Sequence, residues 1–261
     1  MLFFLRVVLC SLYIGALYGE SLPRVSIITS VYKGEKYIEQ FLDDISKQTI
    51  YSECEHIIIN ANSPEGEETY ILKHIANRSN VKYIKLVKDP GLYGVWNIAL
   101  LEASADYIIT ANVDDRMDYS AIESLLGYIK QFPEVDLVYS DLYFTSECNV
   151  PFFLCSQKDE HRQPEFSLEN VIKYCPPGNH PLWKKSMHSR YGLFDPGFKI
   201  YGDHEMWIRA ASLGAIFKRY PYFTGLFYVG DTLSSGRKHS VLRQNERKKI
   251  CRKYRDIWGG I

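Results

Sequence analysis

From Pro23 to Phe144, short runs of β-branched residues alternate with longer amphipathic stretches. The β-branched runs predict strands at 25–30, 56–59, 81–87, 107–111 and 137–144. Apolar residues at helical spacing predict helices at 36–47, 67–77, 95–103 and 120–131. This alternation is typical of an α/β fold with a mostly parallel central sheet and helices on both faces. Right-handed crossovers then bring the carboxyl ends of the strands to one edge of the sheet.

The rest of the chain has a weaker pattern. Residues 145–163 are polar, contain Pro151 and show no period, which predicts either a mobile loop or an insertion. A helix is predicted at 203–213, with Gly214 as its stop signal. A basic amphipathic helix is predicted at 241–258, and its cationic residues are Arg243, Arg247, Lys248, Lys249, Arg252, Lys253 and Arg255. Such a helix usually presents a solvated face, and the functional alternative is contact with anionic lipid or with the phosphates of a nucleotide.

Size and charge indicate an ordinary globular protein. The 261 residues are 46% hydrophobic and 24% charged, which is enough for one large domain or two small ones with a substantial core. Lys and Arg together number 31, as do Asp and Glu, so the formal net charge is zero. No global field therefore attracts nucleic acid, and a nucleic-acid partner is not expected.

The six cysteines do not follow the pattern of a metal site. None belongs to a C-x-x-C pair, and no Cys/His spacing is that of a zinc site. Cys10 and Cys54 lie in apolar runs and are expected to be buried thiols. Cys148 and Cys155 would be able to form a disulfide if the chain were exported.

The N-terminal segment 1–19 is excluded from the fold. Arg6 is followed by an uncharged stretch at 7–19, a length that fits the apolar part of a signal peptide and is short for a bilayer span. Counted from Met1, the segment is also a marginal single-pass anchor. The sequence therefore predicts either export or a membrane-anchored protein with a cytosolic catalytic domain. A misassigned start and a buried N-terminal strand are the remaining alternatives.

The segment Asn112-Val113-Asp114-Asp115 directly follows the strand predicted at 107–111. Ligands bind at the carboxyl ends of strands in open α/β sheets. Adjacent carboxylates repel each other, so a fold that holds them together commonly supplies a cation or a proton. The pair favours a metal-assisted reaction on a phosphate-bearing substrate. The alternative is a solvated turn, because Asn and Asp are common turn residues.

Four blocks in this order together resemble the family-2 inverting glycosyltransferases of the GT-A fold. They lie at 25–32 (followed by 37–38 and 46–49), 91–100, 112–115 and 202–209. One block alone is weak, whereas four in order at family-like separations are specific. The resemblance implies a GT-A-type, Rossmann-like three-layer sandwich with a mostly parallel central sheet. It also implies a catalytic domain at 23–235, followed by the basic helix at 236–261.

The resemblance also implies roles for the acidic residues. Asp115 would bind a divalent metal, Mg²⁺ or Mn²⁺, and Asp114 would contact the ribose or assist with the metal. Asp203 matches the catalytic base, and Glu205 would support it or bind the acceptor. Taken alone, Asp203 is better explained as an N-terminal helix residue favoured by the helix dipole, and the ordered blocks reverse that preference. The residues expected to bind the nucleotide donor are Thr29, Ser30, Tyr32, Asn60, Asn62, Gly91, Asn97 and Asp114.

Several other residues, inside and outside these blocks, are expected to have structural roles. Trp96 and Trp207 are expected in the core, and His180 and His204 are expected to be structural histidines rather than metal ligands. The proline-rich segment 176–181 predicts a rigid loop, whose position in the family suits a wall on the acceptor side. The unpatterned segment 145–163 is expected to be either a mobile loop or an acceptor-side insertion.

The chain departs from the family pattern at three places. Asn60-Ala61-Asn62 replaces the acidic residues that usually contact the base, although an Asn side chain is still able to bind a base edge. Gly202 stands where the last block usually begins with an acid. The processive signature Q-x-x-R-W is not met, because Arg247 is followed by Lys248. A chain-polymerising membrane synthase is therefore not expected.

The predicted function is transfer of one sugar from a nucleotide-sugar donor to a hydroxyl acceptor, either a glycan or a lipid-linked glycan. A non-catalytic carbohydrate- or nucleotide-binding module is the main alternative. A sugar-nucleotidyltransferase is a weaker one, because Lys33-Gly34 falls short of the Gly-rich basic loop of that class. Membrane contact is expected through 1–19 or through the basic C-terminal helix. The export-like N-terminus conflicts with the cytosolic supply of nucleotide sugars.

Overall fold

The computed structural model of the protein describes residues 22–230 and 239–258. The predicted leader or anchor at 1–19 lies outside these ranges, as does Cys10. Within them, no helix is both long enough and apolar enough to cross a membrane.

The strands and helices follow the predicted alternation. The strands are β1 (Ser26–Val31), β2 (Glu55–Asn60), β3 (Val81–Lys85), β4 (Tyr107–Thr110), β5 (Arg116–Met117), β6 (Leu137–Thr145), β7 (Asp159–His161), β8 (Leu182–Lys184) and β9 (Phe217–Tyr228). The helices are α1 (Glu35–Ile45), α2 (Glu67–Ile75), α3 (Leu92–Glu102), α4 (Ala121–Ile129), α5 (Leu168–Tyr174), α6 (Met187–Tyr191), α7 (Gly202–Ser212), α8 (Ser240–Lys253) and α9 (Arg255–Trp258).

All strands in the described part of the chain belong to one sheet with the order β3-β2-β1-β4-β8-β6-β9-β5, and β7 pairs with β6. The first four strands in that order are parallel to one another. Strands β6 and β9 run in the same direction, because β8 is antiparallel to both β4 and β6, and β9 is parallel to β6. The short strands β5, β7 and β8 run the other way. The predicted α/β class with a mostly parallel sheet is confirmed.

Two apolar cores cover the two faces of the sheet and produce three layers. Alternate residues of β1 point to opposite cores, with Ile27 on one side and Ile28 on the other. Helices α1, α2 and α4 pack on the side of Ile27. Helices α3 and α7 pack on the side of Ile28, where Trp96 and Trp207 are core residues as expected. Ile250 of α8 also lies in this second core.

Apart from the two-residue strand β5, the strands and α-helices that the pattern failed to predict lie after residue 144. Strand β9 contains Pro221, and a register shift in the β6–β9 pairing lies at Ser140/Asp141/Leu142, so no regular period marks this region. Helix α5 begins after Ser167, whose side chain accepts a hydrogen bond from the Asn170 amide, a capping signal that was available in the sequence.

The segment 145–163 is partly ordered by β7, which pairs with the end of β6. Cys148 and Cys155 are free thiols, so the conditional disulfide is not formed. Cys54 is a buried free thiol, as expected. The predicted C-terminal helix is confirmed between Ser240 and Trp258, with an interruption at Tyr254.

Candidate active site

The candidate site lies where β1, β2 and β4 end together at one edge of the sheet. Their shared direction brings the segments 30–34, 60–66 and 111–115 to that edge. Strand β9 also reaches it, because the backbone N–H of Tyr228 donates to Asp115 Oδ1 at 3.0 Å. The edge thus collects acidic and amide side chains from distant parts of the chain.

Asp115 is buried, and both of its carboxylate oxygens accept hydrogen bonds. Oδ2 accepts from Asn112 Nδ2 at 3.0 Å and from Asn179 Nδ2 at 2.7 Å, and Oδ1 accepts from the Tyr228 amide. These donors are neutral, so they orient the carboxylate without cancelling its charge. Burial raises the pKa of Asp115, and the three hydrogen bonds oppose that rise.

Asp114 differs from its neighbour because its side chain forms no hydrogen bond or ion pair with another described residue. It is half-buried. Burial and the adjacent Asp115 carboxylate raise the pKa of Asp114 to about 7. A carboxylate of this kind is available to a ligand from outside the protein.

The donor set fits a divalent cation that shares its coordination with a substrate. Among the described residues there is no group of three or more His, Cys, Asp or Glu side chains that would enclose a metal. Mg²⁺, however, is commonly held by one or two carboxylates together with substrate phosphates. The unpartnered carboxylate of Asp114 meets that requirement, whereas Asp115 has most of its acceptor capacity in use.

Asp203 lies in the first turn of α7 and is half-buried. Its Oδ1 accepts from the Tyr93 hydroxyl at 3.0 Å and from the His204 amide at 2.8 Å. Burial raises the pKa of Asp203 to about 6. The sequence did not single out Tyr93, although it lies within the glycine-containing block at 91–100.

Gly202 has a steric reason to depart from the family pattern. A Cβ atom at this position would lie 2.5 Å from Cδ2 of Tyr93, whose ring is fully buried. Any side chain at position 202 would therefore displace the tyrosine that hydrogen-bonds to Asp203. The absence of an acid here is linked to the presence of Tyr93.

Glu205 is completely buried and saturated with donors. Arg209 donates to both carboxylate oxygens at 3.1 and 3.0 Å, and Lys253 and Tyr254 donate to Oε1 at 2.7 and 2.6 Å. These partners lower the pKa of Glu205 to about 2 despite its burial. Of the two roles expected from the sequence, the contacts match support of α7, and no exposed oxygen remains for an acceptor.

The loop from Cys175 to His180 connects the two acidic sites. At one end, burial and the charge of Asp203 raise the pKa of the Cys175 thiol. At the other end, Asn179 binds Asp115, and its own backbone oxygen accepts from Thr110 Oγ1 at 3.3 Å. Asn179 is a site residue that the sequence placed only within a rigid loop. The expected acceptor-side wall thus lies between Asp203 and Asp115.

The two histidines considered earlier are structural. His180 is buried, and burial lowers its pKa to about 4, so it is neutral at pH 7. His204 Nε2 lies 2.7 Å from the Val171 carbonyl oxygen. Neither belongs to a metal-binding group among the described residues.

Four residues predicted to bind the donor are placed at or near the edge. Ser30 and Tyr32 lie at the end of β1, and Tyr32 is 45% exposed. Asn62 is exposed after β2, in a left-handed backbone conformation with φ of 58°. Gly91, with φ of 80°, precedes α3 and leaves open space on its Cβ side.

Three other residues from that prediction use their side chains inside the protein, and we correct their expected roles. Thr29 is fully buried, with its hydroxyl 2.9 Å from His56 Nε2 and 3.0 Å from the Ala111 carbonyl. Asn60 is buried, and its Oδ1 accepts from the Ser63 amide. Asn97 binds the backbone N–H and C=O of Phe194 at 3.0 and 2.8 Å. These contacts shape the site from behind and leave the three side chains unavailable to a donor.

A protein-family model, described as Glycosyl transferase family 2, matches residues 26–190. The chain is a member of glycosyl transferase family 2. Membership confirms the resemblance and the enzyme class predicted from the sequence. An uncharacterized glycosyltransferase of Rickettsia prowazekii is 23% identical over 243 residues, which are 92% of this chain and 71% of that protein. The range matched by the family model, residues 26–190, contains the Asp114–Asp115 pair and ends before Asp203.

Two solved structures share the fold of the present chain. S. aureus TarS (residues 1–349) in complex with UDP-GlcNAc has a TM-score of 0.65 and 17% identity over 80% of this chain. The mannosyltransferase PcManGT from Pyrobaculum calidifontis, in complex with GDP-Man and Mn²⁺, has a TM-score of 0.66 and 15% identity over 89% of this chain. The present chain spans 59% and 64% of those solved chains. The GT-A-type fold predicted from the sequence is confirmed.

Proposed function

We propose that the protein transfers a sugar from a nucleotide-sugar donor to a hydroxyl acceptor by a single inverting displacement that a divalent metal assists. One observation carries this proposal. The six-residue loop 175–180 binds Asp115, the neighbour of the unpartnered carboxylate of Asp114 that is suited to a metal, and its other end lies near Asp203, a half-buried carboxylate of raised pKa that is suited to a base.

The donor would bind across the edge formed by β1, β2 and β4. Tyr32 and Asn62 are exposed there and would contact the nucleotide base of the donor. Gly91 has open space on its Cβ side, which leaves room for the donor. Asp114 would hold a Mg²⁺ or Mn²⁺ together with the donor diphosphate, and Asp115 would be fixed by amides next to it. When bound, such a metal stabilises the charge that develops on the leaving diphosphate. The solved relatives that bind UDP-GlcNAc, or GDP-Man with Mn²⁺, support this arrangement.

Asp203 would act as the general base. With a pKa of about 6 it is mainly a carboxylate at pH 7, close enough to neutrality to accept a proton efficiently. It would take the proton of the acceptor hydroxyl while that oxygen forms a bond to the anomeric carbon. The bond from this carbon to the diphosphate oxygen breaks, and its electron pair leaves with the nucleoside diphosphate. Attack from the face opposite the leaving group inverts the anomeric centre.

The experiment that tests this proposal is a donor screen with a matched variant. Purified protein with Mn²⁺ is incubated with UDP-, GDP- and dTDP-sugars, and both binding and sugar release are measured. We expect one donor to be bound and turned over, and Asp203→Asn to bind it without turnover. Glu169→Gln, at an exposed acid of α5, serves as the control. No binding of any donor, or unchanged turnover in Asp203→Asn, would contradict the proposal.

We also propose that the outer face of α8 contacts anionic lipid, which fits a lipid-linked glycan as acceptor. Arg247, Lys248 and Arg252 of α8 and Arg255 of the adjoining α9 are exposed, and none forms an ion pair with a residue that the structure describes. Each basic residue at an anionic surface contributes about 1 kcal/mol. Vesicle flotation tests this contact. Binding to phosphatidylglycerol vesicles should be lost in Lys248→Glu/Arg252→Glu and kept in Lys88→Glu, and equal binding to neutral vesicles would contradict it.

Such a contact fits a catalytic domain on the cytosolic side of a membrane, where nucleotide sugars are supplied. The mass of the mature N-terminus distinguishes this arrangement from export. An intact 1–19 segment agrees with an anchor, and its removal agrees with a cleaved signal peptide.

A further inference from the structure

The inner face of α8 carries a buried carboxylate that does not contact the proposed substrate site directly. Glu246 is 6% exposed. Its Oε1 accepts the backbone N–H of Lys199 at 2.7 Å, and its Oε2 accepts those of Ile200 and Tyr201 at 3.0 Å each. Three consecutive amides thus converge on one side chain from a distant part of the sequence.

The amides held by Glu246 lie immediately before α7. Tyr201 caps that helix, Gly202 begins it, and Asp203 follows in its first turn. Successive backbone N–H groups that point to one centre form a natural anion-binding concavity. Hydrogen bonds from such amides to a carboxylate are short and strong. Here the protein fills the concavity with its own side chain and thereby fixes the backbone that carries Asp203.

A second attachment joins the same two helices. Glu205 of α7 accepts from Lys253 Nζ at 2.7 Å and from Tyr254 Oη at 2.6 Å, both at the end of α8. Glu246 therefore holds the backbone before Asp203, and Lys253 and Tyr254 hold the side chain of Glu205 after it. Helix α8 is packed against the base-bearing helix through polar contacts as well as through the core residue Ile250.

We propose that Glu246 is a positioning residue for Asp203, so that the C-terminal helix is part of the catalytic machinery. This inference rests on the proposed function, because it gives α8 a role in presenting the general base. The hydroxyl of Tyr93 also donates to the Ile200 carbonyl at 2.6 Å. Ile200 belongs to the segment 199–201, whose amides bind Glu246. Movement of 199–201 would consequently shift both Asp203 and its hydrogen-bond partner.

The charge of Glu246 supplies a readout that packing alone would not change. The groups that face Asp203 are Tyr93 from α3, Cys175 after α5, the His204 amide and Glu246 from α8. Burial raises the pKa of Tyr93 and of Cys175 well above their usual values, so both are neutral. Burial is the main cause of the raised pKa of Asp203, and the carboxylate of Glu246 adds to that rise. Removing that charge lowers the pKa of the base, and the acid limb of the rate profile then moves to lower pH.

The test compares Glu246→Gln with Asn245→Ala, an exposed neighbour on the same helix. Glutamine keeps the shape of the side chain and removes its charge. Thermal unfolding first shows that both variants are folded. Amide hydrogen exchange at 199–201 and the pH dependence of kcat and KM are then measured.

In Glu246→Gln we expect exchange at 199–201 to rise by about tenfold or more. We expect kcat to fall about 10- to 100-fold, as for a small misplacement of a catalytic group. Donor KM should be unchanged, and the acid limb should move to lower pH. Asn245→Ala should behave as wild type, and Glu246→Asp, which restores the charge, should restore the position of the acid limb.

Three results would overturn the proposal. Unchanged hydrogen exchange at 199–201 would show that Glu246 does not hold this segment. Raised exchange at 199–201 with unchanged kcat would show that this segment does not position Asp203. A lower kcat with an unshifted acid limb in a poorly folded variant would reduce Glu246 to a stability role. An inactive wild type would instead overturn the proposed function, and the exchange data would still report whether the loop is held.

Discussion

The Asp114–Asp115 pair and the Asp203–Glu205 pair are built in a similar way and differ in the donors they use. In each pair one carboxylate is saturated by the protein, and the other keeps acceptor capacity. Asp115 is held by two side-chain amides and a backbone amide. Glu205 is held by Arg209, Lys253 and Tyr254.

This difference separates a functional anion from a structural one. Neutral amides fix Asp115 and leave the negative charge of the pair for a cation. The cationic donors Arg209 and Lys253 neutralise Glu205, which thereby connects α7 to the end of α8. Burial raises the pKa of both carboxylates. The hydrogen bonds of Asp115 oppose that rise without reversing it, whereas those from Arg209, Lys253 and Tyr254 lower the pKa of Glu205 below its usual value.

The largest expected effect concerns Asp203, the carboxylate of the second pair that keeps acceptor capacity. Asp203→Asn should lower kcat by about 10²- to 10⁴-fold, because a general base contributes that much to a rate. In the wild type, kcat should fall as pH drops below about 6, where Asp203 becomes protonated. Steady-state kinetics between pH 5 and 8 checks both. A flat acid limb would remove Asp203 from the mechanism.

The next effect tests the saturated acid of that pair. Glu205→Gln should destabilise the fold by about 3–5 kcal/mol, since it breaks a buried ion pair and leaves Arg209 without its charge partner. Because the folded pKa of Glu205 is lowered, its stabilisation is present above the unfolded value of about 4.3 and is lost as pH falls towards 2.

Urea unfolding at pH 7 and at pH 3 checks this, with Glu169→Gln as the control. The difference between wild type and Glu205→Gln should shrink at the lower pH. A difference that does not depend on pH would contradict the ionic role of Glu205.

A smaller effect tests the amide that fixes Asp115. Asn179→Ala removes the donor 2.7 Å from Asp115 Oδ2. Residues that orient a metal-binding group typically contribute 10- to 100-fold to metal affinity, and we expect a loss of about that size. The Mn²⁺ dependence of donor binding measures it. Unaltered Mn²⁺ dependence, in a variant that unfolds like the wild type, would mean that Asp115 needs no such support.

The smallest effect tests the steric link between Gly202 and Tyr93. Gly202→Ala places a Cβ 2.5 Å from the Tyr93 ring and should cost about 1–3 kcal/mol of stability through overpacking. It should also lower kcat, because Tyr93 hydrogen-bonds to Asp203. Urea unfolding and kinetics check both effects. Gly127→Ala, where a Cβ meets nothing within 4 Å, is the matched control in another helix.

Much of the fold was predictable because local periodicity determines it. The strands from Ser26 to Thr145, except the two-residue β5, and the helices between them lie within a few residues of their predicted positions. Strand β9 was not predictable, because its pairing with β6 includes a register shift and it contains Pro221. Short elements such as β8 and α6 carry too few residues for a period to be visible.

The candidate site was predictable in its acids and less so in their roles. Asp114 and Asp115 follow a predicted strand, at the end where ligands bind in open α/β sheets, and Asp203 was assigned from the family resemblance. Thr29, Asn60 and Asn97 were expected to bind donor, but each is occupied by partners inside the protein. A polar residue in a family block looks the same in sequence whether its side chain faces the ligand or the core.

The sequence by itself determined the α/β order and the presence of acids at the carboxyl ends of the strands, because both depend on neighbours within one turn or one strand. Only the tertiary structure decided which acid of each pair is saturated. The donors to Asp115 include Asn179 and Tyr228, and those to Glu205 include Lys253 and Tyr254. These partners are far away in sequence, and folding alone brings them to the carboxylates they hold.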